Sequence, residues 1–399
     1  MALISERVHQ LEESETIKMA KLGRELSLSG VSIINLSFGE PDFDTPQHIK
    51  EAAIEAIRGR YSHYTPVAGY AELREAIAEK LSIENSLEFL PDQIVVSTGA
   101  KQSLANAVMC MLDPGDEVLI PTPYWVSYSE MVKLGQGTSV FVHTSADENF
   151  KISPARLEAA ITINTKLFMF SSPSNPTGSI YSREELEALA RVFEKHPRIY
   201  VISDEIYEHI NYSGRHESIA QFKSIKDRVI LINGVSKAYA MTGWRIGYMA
   251  ANKEIARACE KLQSQVTSGT CSISQRAALA AISGPLTATT MMRDAFRSRR
   301  DRMFNALSKI EGLKCNLPSG AFYFFPEISS IFGMRTPQGE VISDSTSLCL
   351  YLLHKARVST VPGLAFGNDR HLRISYAADD ASLVEAVDRI SGALRLLKF

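Results

Sequence analysis

No stretch of this 399-residue chain approaches the ~20 consecutive apolar residues that cross a bilayer. The opening Met-Ala-Leu-Ile-Ser-Glu-Arg meets charge at once, where a secretion signal needs an apolar core. The expectation is a soluble, cytoplasmic protein with no membrane partner. Neither sign of charge dominates: 43 Lys+Arg stand against 45 Asp+Glu, a net of −2 with no basic stripe, so no nucleic-acid partner is expected. Cysteine is sparse. The five residues Cys110, Cys259, Cys271, Cys315 and Cys349 are odd in number and scattered, which predicts neither a disulfide framework nor a metal cluster. They read as reduced, mostly buried fillers. Also missing are an internal repeat, a low-complexity linker, the dinucleotide glycine pattern and a phosphate loop ending in Gly-Lys-Ser/Thr. What remains is a globular chain, 45% hydrophobic, long enough for one large domain and a smaller companion.

Short apolar runs of strand type alternate with helical patterns. The runs are Val31 to Leu36, Gln93 to Ser97, Glu117 to Ile120, a segment through Val140, Leu167 to Phe170, Ile199 to Ser203, Arg228 to Ile232 and Arg245 to Ala250. Between them lie an amphipathic helix from Ile17 to Leu28, a helix after Thr45 (expected to cap it) and Pro46, one striped by Leu73, Ile77 and Leu81, and one carrying Leu104, Val108 and Met111. Ser182 with Glu185 forms a capping box. This alternation predicts an α/β fold, a mostly parallel doubly wound sheet with helices on both faces and ligands at the carboxyl ends of its strands. Beyond Lys253 come long helices, one from Met292 to Ile310 whose arginines are expected on a solvated face, then a strand from Gly320 to Pro326 in a second, smaller α/β domain. The expected division is 1–45 as a segment joining the small domain, 46–285 as the large domain and 286–399 as the small one, with the break at Ser283-Gly-Pro285.

Residues able to do chemistry gather at these strand ends. Thr98-Gly99-Ala100-Lys101 turns a strand into a helix; it is either a plain packed turn or a seat for an anion on the positive end of the helix dipole. Trp125 reads equally as a core aromatic or a platform for a ring. Asn175 is held between two prolines and a glycine, and Asp204 follows a buried strand as a helix cap or as a functional carboxylate, with Tyr207 three residues on. The segment from Asn233 to Tyr248 places Lys237 in a glycine-punctuated loop between two apolar runs. A loop lysine is ordinarily a solvated charge. Confined between buried strands it loses hydration, and its neutral, nucleophilic amine is favoured. Ser236 and Arg245 beside it suit a phosphate dianion.

Ser236-Lys237 followed by Gly243-Trp-Arg-Ile-Gly247 resembles the cofactor-attachment site of the class I aminotransferases. The resemblance runs from Thr16 to the final helix and implies a fold type I enzyme whose Lys237 carries pyridoxal 5′-phosphate. It further implies that Asp204 pairs with the ring nitrogen, that Asn175 and Tyr207 meet the phenolic oxygen, and that Trp125 stacks on the ring. The phosphate would rest on Gly99, Ala100, Lys101, Ser236 and Arg245. Tyr64 would reach the phosphate of the other subunit in a homodimer with shared active sites. Substrate would meet Gly39, Trp125, Asn175 and the guanidinium of Arg373 in Leu372-Arg-Ile-Ser375, whose planar fork matches a carboxylate. Arg370 lies three positions earlier and is expected in the loop.

Lys101 and Thr16 match residues that contact the substrate's distal carboxylate in bacterial-type aspartate aminotransferases, also found in plant plastids, some of which accept prephenate. The implied reaction moves an amino group between L-aspartate or glutamate and 2-oxoglutarate or oxaloacetate, with prephenate a further candidate among these amino-acid and oxo-acid substrates. Phe38 departs from the family's small residue before Gly39, which bears on substrate preference. Two alternatives stand beside this reading. One is an aromatic or other aminotransferase, or a C–S lyase, on the same scaffold. The other is a non-enzymatic effector-binding module; such modules carry a DNA-binding domain in front, and a chain opening directly on the Thr16 segment argues against it.

Overall fold

The computed structural model describes residues 3–399. In chain order its strands are β1 (Ile34–Asn35), β2 (Ile94–Ser97), β3 (Glu117–Thr122), β4 (Thr138–His143), β5 (Thr165–Ser171), β6 (Tyr200–Asp204), β7 (Val229–Gly234), β8 (Gly247–Ala250), β9 (Tyr323–Phe324), β10 (Val358–Ser359), β11 (Val361–Pro362) and β12 (Leu372–Ser375). A seven-stranded sheet has the order β2-β8-β7-β6-β5-β3-β4. Strands β3 to β7 pair in parallel, while β8 runs antiparallel to both β7 and β2. All strands of this sheet except β8 therefore point the same way, and their carboxyl ends share one edge.

Buried on both faces, these strands are continuous apolar runs rather than alternating ones. Val95, Val118, Leu167, Ile202 and Ile230 face one core, with the helices Ala100–Met111, Ser127–Leu134 and Lys253–Val266. Val96, Leu119, Phe168, Val201 and Leu231 face the other, with the helices Gln47–Arg58, Ala71–Asn85, Arg183–Lys195 and Ser272–Ile282. Each fully buried Val, Leu or Ile contributes about 1.5–3 kcal/mol relative to exposure, so the sheet is a rigid platform. A further core joins Met19 and Leu36 to Phe296, Met303, Leu348 and Ile374. Here β1 pairs in parallel with β10, and β12 lies between β11 and β9. The chain's first segment is thus knit to its last third.

Several expectations are corrected. Thr45 is not a helix cap: its hydroxyl donates to the carbonyl of Ala240 at 2.7 Å and accepts from the Trp244 indole at 3.0 Å, and Pro46 takes the cap position. The charged helix spans Thr287–Leu307, and its arginines are not all solvated. Arg299 and Arg300 are each 8% exposed. Arg299 grips both oxygens of Asp42 at 2.6 and 2.9 Å; Arg300 donates to the carbonyl of Pro318 at 2.9 Å and lies over the ring of Tyr212. These partners come from distant segments and leave no local signature. Strands β1 and β9 are shorter than the apolar runs suggested, because each meets its neighbour for two residues only. Cys259 and Cys349 are buried, Cys110 and Cys315 half-buried, and Cys271 exposed. Among the described residues no helix is long and apolar enough to cross a membrane.

Candidate active site

The shared edge of the sheet opens on a cleft of about 260 Å³. It brings together Thr16, Gly39, Ala100, Lys101, Trp125, Asn175, Asp204, Tyr207, Ser236, Lys237, Arg245 and Arg373, residues spread over most of the chain. Gly99 sits just behind, beneath the Arg245 guanidinium. Tyr64 is not brought in. It is 97% exposed on the single chain and does not line the cleft. Phe38 does not line it either, and Arg370 lies outside, exposed and paired with Glu327 at 3.1 Å.

Lys237 follows β7, where Gly234 and Gly247 let two backbones approach: a Cβ on Gly234 would lie 2.8 Å from the Gly247 α-carbon. The Lys237 amine donates to the carbonyl of Gly39 at 2.5 Å. Burial lowers its pKa to about 8; Glu40 opposes that shift, and Arg245 and Arg373 reinforce it. The chain passing overhead needs glycine at position 39, since a Cβ there would lie 2.6 Å from the Tyr323 hydroxyl.

Asp204 ends β6 and is 5% exposed. The chain enters a turn directly after it, so the helix-cap reading fails. Tyr128 donates to its Oδ2 at 2.8 Å and the Ile206 amide to its Oδ1 at 3.2 Å. Burial nevertheless raises its pKa to about 6. The Tyr207 hydroxyl bonds that of Tyr323 at 2.7 Å, and burial holds it well above the usual phenol range. Trp125 is half-buried, edge-on to Tyr128, with the Lys101 amine 5.2 Å from its ring centroid, so it is a wall of the cleft rather than a core aromatic. Tyr128 and Tyr323 escape the sequence reading because one looks like helix filler and the other like strand filler; no local pattern marks them.

Arg373, on β12, is 2% exposed. Its Nη1 donates to the Asn175 side-chain oxygen at 3.0 Å and its Nη2 to the carbonyl of Ser37 at 2.6 Å, while Nε has no partner. The guanidinium lies over Tyr323 and Phe366, 4.5 and 5.0 Å from their centroids. Among the described residues no carboxylate reaches it in an ion pair, and burial lowers its pKa. A buried, unpaired cation costs several kcal/mol, so this pocket suits an anion from outside. A second anion seat lies at the start of the helix Ala100–Met111. Gly99 takes a φ of +83° there, Arg245 a φ of +56°, and buried Ser236 completes the set.

Comparison with known proteins places this geometry. Residues 31–390 match the family described as aminotransferase class I and II. The bifunctional aspartate aminotransferase and glutamate/aspartate-prephenate aminotransferase of Petunia hybrida is 50% identical, over 99% of this chain and 83% of its own length. The aspartate/prephenate aminotransferase of Nitrosomonas europaea is 47% identical over 98% of this chain and 99% of its own. Among solved structures, the aspartate aminotransferase from Rhizobium meliloti superimposes with a TM-score of 0.96 at 44% identity over all of both chains. The Thermus thermophilus aspartate aminotransferase with maleate gives 0.92 at 42% identity, covering 98% of this chain and all of that one. Likeness of this extent in sequence and fold leaves one conclusion: the chain belongs to the class I and II aminotransferases.

Proposed function

We propose that this aminotransferase uses pyridoxal 5′-phosphate to move the amino group between L-aspartate or glutamate and the corresponding oxo acids, 2-oxoglutarate and oxaloacetate, with prephenate a further acceptor. One observation carries the reading: a dry amine (Lys237), a buried carboxylate (Asp204) and a buried, half-satisfied guanidinium (Arg373) line the same cleft.

The donor set fits the cofactor. Ser236, Arg245 and the amides after Gly99 would hold its phosphate, Asp204 its ring nitrogen, Asn175 and Tyr207 its phenolic oxygen, Trp125 its face, and Lys237 its reactive carbon. Asp204 argues most directly for a cationic partner. A carboxylate whose pKa burial raises to about 6 gains most from a positive charge placed beside it. When bound, pyridoxal phosphate supplies an electron sink for the bond broken at the substrate's Cα.

The chain's own groups do the rest. Arg373 fixes the α-carboxylate with its fork, and Asn175 holds the guanidinium in place. Lys237, its pKa lowered by burial to about 8, reaches the neutral form far more readily than an ordinary lysine and serves as the base that takes the Cα proton and returns it. Lys101 and Thr16 line the same cleft and suit the second carboxylate of a dicarboxylic substrate. Dicarboxylate specificity is supported by the relatives' names and by the maleate in the Thermus thermophilus structure. Tyr64, exposed on the single chain, is the residue that a second copy would receive in a homodimer.

Purified protein tests this directly. Loaded with pyridoxal phosphate it should be yellow, change its visible spectrum on adding aspartate with one equivalent of oxaloacetate released per site, and form oxaloacetate beyond that equivalent only when an oxo-acid acceptor is present. Oxo acid and ammonia released over many turnovers without an acceptor would point to lyase chemistry instead; no spectral response to any amino acid would end the proposal.

A further inference from the structure

Outside the cleft, on the far side of the turn that carries Asp204 and Tyr207, lies a buried ionic knot. Glu208 and Lys80 are each 6% exposed and form an ion pair. Glu208 also accepts from the Asn233 side chain at 2.8 Å and, on its other oxygen, from Asn85 at 2.8 Å. Lys80 donates further to the Asn85 side-chain oxygen at 2.9 Å. The Asn233 side-chain oxygen accepts from the backbone N–H of Gly234 at 2.7 Å. Three elements meet here: the helix Ala71–Asn85, the turn after β6, and the end of β7.

The position of the knot matters. The β6–β7 ladder stops where Asp204 faces Ile232, and its last bond runs from the Glu205 amide to the Ile232 carbonyl. From Asn233 on, no backbone bond ties β7 to that side. The Glu208 to Asn233 bond takes over there, directly before the loop of Lys237. A buried ion pair kept for stability alone is replaceable by apolar side chains at little cost. Apolar side chains cannot hold the Asn233 amide, and with it Gly234. Burial alone would raise the Glu208 pKa, but Lys80, then His209 and His216, reverse this and keep it anionic. Glu84 and Glu205 meet those histidines in turn, at 2.9 Å from His209 and 2.8 Å from His216.

We infer that Glu208 is a positioning residue: through Asn233 it locks the start of the Lys237 loop to the Asp204–Tyr207 turn, and so sets where the amine stands against the carboxylate. The inference takes the roles of Lys237 and Asp204 from the function proposed above; the lock itself belongs to the chain without cofactor.

Hydrogen exchange on cofactor-free protein tests the lock. In Asn233→Ala, amides across residues 233–238 should exchange about tenfold faster, with the helix Ala71–Asn85 unchanged. Loaded with pyridoxal phosphate, the same variant should show the pH midpoint of its visible absorbance moved by about one unit, and kcat lowered ~10- to 100-fold at nearly constant KM. Glu208→Leu should act likewise. The double variant Lys80→Met with Glu208→Leu, which removes both charges and the acceptor for Asn233, should regain thermal stability but not the absorbance midpoint. Wild-type exchange and midpoint in Asn233→Ala, or full recovery of the midpoint in the double variant, would overturn the inference. If wild-type protein takes up no pyridoxal phosphate, the proposed function fails, and exchange alone still decides the lock.

Discussion

The Lys237 amine and the Gly39 carbonyl oxygen stand 2.5 Å apart, joined across 198 residues of sequence. The roof of the cleft therefore rests on the amine proposed above as the base. Replacing Lys237 by alanine should lower transamination by at least ~10³-fold, the scale of losing a positioned proton-transfer group. The fold should persist. Because the folded pKa of about 8 lies below the ordinary 10.5, the charged amine is a penalty present in full below pH 8 that fades as pH rises towards 10.5. Cofactor-free Lys237→Ala should thus melt no lower than wild type at pH 7, with the two closing on each other near pH 10.

Asp204 carries the opposite sign. Its folded pKa of about 6 exceeds the ordinary 3.8, so the cofactor-free protein loses stability from this group as pH climbs from 4 to 6, by about 3 kcal/mol. Asp204→Asn should raise the melting temperature of cofactor-free protein at pH 7 while abolishing turnover. Melting curves at pH 4 and pH 7 check the sign.

Tyr128→Phe removes the hydroxyl that holds the Asp204 charge. A hydrogen bond to a charged group contributes about 1.5–3 kcal/mol, which is one to two pH units. The acid limb of the kcat/KM profile should move up by about that much, with the alkaline limb unmoved.

At the substrate end, Arg373→Lys keeps the charge but loses the fork, and should raise KM for every amino and oxo acid by ~100-fold. Lys101→Met should discriminate: about tenfold in KM for aspartate, and little for an amino acid without a second carboxylate. Steady-state kinetics with both donors separates the two roles.

Gly39→Ala sets a methyl group 2.6 Å from the Tyr323 hydroxyl and should cripple the enzyme. Adding Tyr323→Phe removes the obstructing atom. The double variant should recover at least ~10-fold over Gly39→Ala, a coupling that a double-mutant cycle measures.

How much of this was legible in the amino-acid order is a matter of physics. Parallel strands buried on both faces are apolar runs, and their carboxyl ends must share an edge, so Asn175, Asp204 and Lys237 could be placed together before any coordinates. The family resemblance added Arg373, Lys101 and Thr16. Tyr128, Tyr323, Glu208 and Arg299 were not legible, because each takes its role from a partner 76, 116, 128 and 257 residues away. Thr45 failed for the same reason: its hydroxyl serves Ala240 and Trp244 rather than its own helix.

The segment from Leu36 to Asp42 is fastened at both ends to the last third of the chain. The Ser375 amide holds the Leu36 carbonyl, Arg373 holds Ser37, and Arg299 clasps Asp42. Its middle, at Gly39, leans on Lys237. Ceiling and carboxylate grip are consequently one mechanical part. Arg373 and Lys237 donate to carbonyls only two residues apart on that ribbon, so the guanidinium and the amine share one short stretch of backbone as their common scaffold.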